Sequence, residues 1–128
     1  MKTVNEVLAA LRQAKPDGRV YFSFGRCIPT TVDSWRGVYA EPALGWKPAG
    51  YSGHVEQGDY PTAAVLIERL ERAISGDTFT GWKGGEFTYV GDERLHVDNP
   101  GDCTHTEIVT IEINEYETVL HTATEDSM

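Results

Sequence analysis

The hydrophobic period of this chain switches back and forth between helical and strand spacing, and the order of the switches limits the folds open to it. Val4, Val7, Leu8 and Leu11 recur at the three-and-four spacing of one helical face. Thr3-Val4-Asn5-Glu6 ahead of them reads as a capping box, the Thr3 hydroxyl accepting from the third helical amide while Glu6 reaches back. Lys15-Pro16-Asp17-Gly18 stops the helix, because proline lacks an amide hydrogen and disfavours helical geometry in the residue before it. The period then falls to two: Val20, Phe22 and Phe24 share one side of an expected strand over 19–24, with Tyr21 and Ser23 on the other.

Residues 25–33, around Pro29, read as a loop, and 34–44 as a second strand with Trp46 near its exit. Residues 47–61 hold prolines, glycines and few apolar side chains, and are expected to form a long ordered loop or lid. Helical spacing returns over 62–75, where Leu66, Leu70 and Ile74 form a stripe flanked by Ala63 and Ile67, and Gly76 stands as a left-handed cap. Glu68 and Arg72 have the spacing of a helical ion pair. Strands are expected over 86–90, 95–98, 107–113 and 116–122. In the third, Val109, Ile111 and Ile113 alternate against Thr110 and Glu112. The expected class is α+β, a mostly antiparallel sheet carrying two helices, in one domain over 1–128 with a frayed polar tail at 122–128.

The net charge is −9, which argues against binding DNA or RNA polymers or an anionic membrane, since both rest on many cations meeting many phosphates. It does not oppose capture of one small anion in a locally basic pocket, because screening confines surface fields to about 10 Å. Met1 to Ala14 carries charges and polar residues throughout, so no export signal is expected and the cytoplasm is the expected compartment. Cys27 and Cys103 are then expected to be reduced thiols.

Against this acidic background each tryptophan directly precedes a cation: Trp35-Arg36, Trp46-Lys47 and Trp82-Lys83. A flat ring beside a cation suits a nucleotide, one stacking on the base and the other meeting phosphate. Gly81-Trp82-Lys83-Gly84-Gly85-Glu86 reads either as a backbone nest around a phosphate or as a glycine-rich turn with Trp82 in the core. It lacks the closing Gly-Lys-Ser/Thr of a Walker A loop. Arg36 reads as a site cation or as a surface partner of Asp33 or Glu41, and Arg26 is open to the same two readings. Asn99, in the turn Asp98-Asn99-Pro100-Gly101, has both donor and acceptor for a base edge. His54, His96, His105 and His121 are scattered and show no metal-site spacing, and no catalytic signature is present, so neither metal, cofactor nor enzymatic turnover is expected. Asp92-Glu93 reads as a solvated turn pair. Glu107, Glu112, Glu115 and Glu117 read as the wet face of a terminal hairpin, or as a surface for a basic protein partner.

Val32-Asp33-Ser34-Trp35-Arg36-Gly37-Val38-Tyr39, Ala43-Leu44-Gly45 and the run Phe79-Thr80-Gly81-Trp82-Lys83-Gly84-Gly85-Glu86-Phe87 together resemble a group of small bacteriophage proteins, the first-described anti-Thoeris sponges. The resemblance spans about residues 19 to 122 and departs at Gly50 to Gly58. It implies a small α+β protein that assembles as a homo-oligomer in the host cytoplasm. It also implies that the protein sequesters a cyclic ADP-ribose isomer, or a cyclic oligonucleotide, without cleaving it. Arg26, Arg36, Phe87 and Asn99 are the residues matching that family's arginines, aromatic platform and asparagine; Trp82 and Lys83 complete the expected ligand-binding set. The competing expectation is an inhibitor, similar to anti-CRISPR proteins, that binds a protein through its acidic surface.

Overall fold

A computed structural model describes residues 2–23, 27–34, 41–48, 61–76, 78–80, 85–98 and 105–125. Helices α1 (Val4–Leu11) and α2 (Ala63–Ala73) accompany strands β1 (Arg19–Phe22), β2 (Cys27–Ser34), β3 (Pro42–Pro48), β4 (Phe79–Thr80), β5 (Glu86–Phe87), β6 (His96–Val97), β7 (His105–Ile113) and β8 (Glu117–Glu125). The class is α+β. Six strands form one sheet in the order β1-β8-β7-β6-β3-β2, and β4 pairs with β5 apart from it. The sheet is mixed: β1–β8 and β3–β6 are parallel, while β2–β3, β6–β7 and β7–β8 are antiparallel.

The strand order requires a curled sheet. β1 and β2 lie at opposite edges, about 24 Å apart if six strands at about 4.8 Å spacing were flat. Only Ser23 to Arg26 separate Phe22 from Cys27, a span of at most about 18 Å. The edges instead lie in contact, and α2 packs against both β1 and β2 across the seam. Backbone bonds fix α2 there: Val20 N–H donates to Pro61 C=O at 2.9 Å and Ala63 N–H to Gly18 C=O at 2.9 Å, while the Arg69 guanidinium donates to Thr30 C=O at 2.7 Å. The core fills the concave side, with Val7, Leu8 and Leu11 of α1 and Leu66 and Leu70 of α2 meeting Val20, Phe22, Leu44, Val97, Ile108 and Leu120 of the sheet.

Both helices follow their sequence signals. Thr3 and Glu6 form the capping box, with Glu6 N–H donating to the Thr3 hydroxyl at 3.2 Å and Thr3 N–H to the Glu6 carboxylate at 3.1 Å. Thr62 caps α2, Gly76 adopts φ +103°, and Glu71 of α2 pairs with Arg12 beyond α1 at 3.2 Å.

The strands depart further. Residues 27–33, expected as loop, belong to β2. Pro29 is tolerated because β2 is an edge strand, and Thr30 and Thr31 face Gly45 in a bulge, so polarity and proline there do not end pairing. β3 accordingly starts at Pro42 and runs through Trp46 to Pro48; residues 35–40 lie outside the described residues. In β7 the register shifts between Ile108 and Thr110, which buries Ile108 fully and leaves Val109 42% exposed, against the alternation expected from Val109. β8 continues to Glu125, past the expected end at Thr122.

Candidate functional site

Pairing directions divide the sheet into two ends. At the first end β1, β3, β6 and β8 finish and β2 and β7 begin; at the second the roles reverse. Trp46 and Lys47 lie at the first end, paired with Pro29 and Ile28. Trp46 is half-buried, packs against the core, and donates its indole N–H to Asp98 C=O at 2.7 Å. Asp98 N–H in turn donates to Leu44 C=O at 2.8 Å, so β6 is stitched to β3 beyond its own two residues. The result is a braced aromatic ring on the core side of β3, with the exposed Lys47 following it on the opposite side.

Of the expected ligand-binding set, Arg26, Arg36, Trp82, Lys83 and Asn99 lie outside the described residues. Their described chain neighbours do locate parts of the frame. Cys27, next to Arg26, and Asp98, next to Asn99, both stand at the first end with Trp46 and Lys47. Ser34, the described residue before Trp35-Arg36, closes β2 at the second end, about 20 Å from Cys27 at the rise of an extended strand. Phe87 is half-buried on β5, where it pairs with Phe79; β4 leans against β2, and Phe79 meets the buried ring of Tyr89 at 5.0 Å between centroids. Residues 81–84, on which the turn and nest readings rest, lie outside the described residues, between β4 and β5.

At the second end the structure brings together a cluster that periodicity did not reveal. The N-terminal segment runs beside residues 91–95: Val4 N–H donates to Glu93 C=O, Asn5 N–H to Gly91 C=O and Leu95 N–H to Lys2 C=O, each at 3.0 Å. This holds Arg94 so that its guanidinium grips Glu41 with two bonds, Nε to Oε2 at 2.7 Å and Nη2 to Oε1 at 2.9 Å. His96 is fully buried, and its Nε2 stands 3.4 Å from Glu41 Oε1. The hydrogen bond from Arg94 is the main cause holding the Glu41 carboxyl below the usual range, with His96 adding to it and partial burial opposing. Glu41, read from sequence as a partner for Arg36, is thus engaged by Arg94. The nearest legible signal is the alternation of Arg94, His96 and Asp98 over residues 94–98, which carries no hint that Glu41 faces it.

Glu93 differs from the solvated turn residue expected of Asp92-Glu93. Its carboxylate accepts the amides of Val90 at 2.9 Å and Gly91 at 2.8 Å, filling a small backbone nest from within. Cys27 is buried, which pushes its thiol pKa up and makes it a poor nucleophile. Among the described residues no three His, Cys, Asp or Glu side chains are arranged to hold a metal ion, and no helix is long and apolar enough to cross a membrane. No known family pattern, curated protein or solved structure matches the chain.

Proposed function

We propose that this protein is a non-catalytic, homo-oligomeric binder that sequesters a small anionic nucleotide, of the class of cyclic ADP-ribose isomers or cyclic oligonucleotides, as the resemblance to phage anti-defence sponges implies. The observation that carries the reading is the first end of the sheet. There Trp46, braced through Asp98, and Lys47, on the other side of the same strand, close the end of β3, and the chain neighbours of Arg26 and Asn99 adjoin them. A ring held in place costs little entropy when a base stacks on it, and cations at the rim of that end would supply the charge that phosphate needs. Such a pocket works by affinity alone, so the ligand leaves it unchanged.

Calorimetric titration of the purified protein with cyclic ADP-ribose isomers and cyclic di- and trinucleotides tests the proposal. A member of that panel should bind, Lys47→Ala and Arg26→Ala should each weaken it about tenfold, and heat-released ligand should keep its mass. Silence across the panel removes the reading, and an altered mass replaces it with an enzyme. A protein-docking reading draws on the outer side of β7, where Val109 stands exposed beside the exposed Glu112. It predicts affinity for a basic protein that falls with salt and ignores Lys47→Ala.

A further inference from the structure

The two halves of the sheet, β2–β3 and β7–β8–β1, are joined through β6, which is only His96 and Val97. One cross-strand row runs Ala43–His96–Glu107, so His96 sits between the halves on the side of β6 opposite the core residue Val97. We propose that His96 is a proton-operated clasp: in its protonated form it ties Glu41, at the entry to β3, to β6, and the loss of its proton loosens β6 and the Trp46–Asp98 contact that follows it.

Among the described residues Glu41 stands within reach of the His96 ring, Glu107 is its cross-strand neighbour, and Arg94 and Asp98 lie two residues away on the same side, so carboxylates outnumber cations around it. A proton on the ring offsets part of that excess and gives Glu41 a second cationic partner, against the cost of charging a fully buried imidazole. Arg94 cannot do this alone, because its two short bonds go to Glu41 and more than half of its side chain is exposed. The link to Trp46 is covalent and short. Asp98 follows Val97 directly, and its amide and carbonyl bind Leu44 and the Trp46 indole. The inference needs no ligand, so it stands or falls apart from the proposed function.

The sign follows from linkage. A histidine whose folded-state pKa is raised stabilises the fold in full below its unfolded value of about 6.5, and that contribution is lost as pH rises through the folded value. The test is a histidine ring NMR titration of the full chain from about pH 5 to about pH 9, read with the Trp46 indole N–H signal, and urea unfolding of wild type, His96→Gln and His121→Gln. The His96 ring should titrate within that range and the Trp46 signal should move with the same midpoint. The wild-type advantage over His96→Gln should shrink across that range, while His121→Gln keeps the wild-type dependence. A His96 ring that stays neutral throughout, or one that titrates while the Trp46 signal is still, overturns the clasp. Should His96→Gln fail to fold, the wild-type titration alone decides.

Discussion

Single residues in this chain are held for reasons that local pattern does not display, and Gly91 is the sharpest case. It adopts φ +109°, where a side chain is strained, and a Cβ there would run into the Asn5 side chain, which itself binds Asp92 at 3.3 Å. Gly76 has nearly the same backbone geometry, φ +103°, with open space around it. Gly76→Ala should therefore cost about 1 kcal/mol from backbone strain alone, and Gly91→Ala somewhat more, because the Asn5 side chain must also swing away from Asp92. Urea midpoints of the two variants measure the difference, and equal values would refute the role assigned to Asn5. The capping pair Thr3–Glu6 is the opposite case, legible because both partners lie within one turn of each other.

Between elements, the Glu41–Arg94 bridge fastens the approach to β3 to the approach to β6. The Glu41 pKa is lowered from its ordinary value, so the stabilisation it brings is complete above about pH 4.5 and is lost as pH falls through the folded-state value. The stability gap between wild type and Glu41→Gln should hold steady just above about pH 5 and close below about pH 4, by about 1–2 kcal/mol in all. Unfolding curves across that acid range check it; a gap that persists at pH 3 would assign the effect to packing. The helices are legible in the sequence because a capping residue, an apolar stripe and a stop signal are all local. Strands were misplaced where pairing overrode local chemistry: Pro29, Thr30 and Thr31 look like a loop until β3 is beside them, and the β7 bulge moves burial from Val109 to Ile108.

For the molecule as a whole, the charge of −9 acts against compactness. Raising sodium chloride from about 0.02 M to about 0.3 M should raise the thermal midpoint by a few degrees, since screening relieves the net repulsion more than it weakens the exposed Arg12–Glu71 pair. A falling midpoint would mean that attractive pairs outweigh the net charge. Of the candidate site, sequence supplied types of residue, rings beside cations, but not their placement: Cys27 and Ser34 show that one strand carries the flanks of Arg26 and Arg36 to opposite ends. Sequence alone determined the two helices, their caps, and the α+β class, because these depend on contacts within a few residues along the chain. Tertiary structure decided the mixed strand order, the curl that brings β1 to β2 under α2, and the meeting of Glu41 with Arg94 and His96. Each of those joins residues tens of positions apart, and their pairing is selected by burial and backbone hydrogen bonding that no short window of sequence contains.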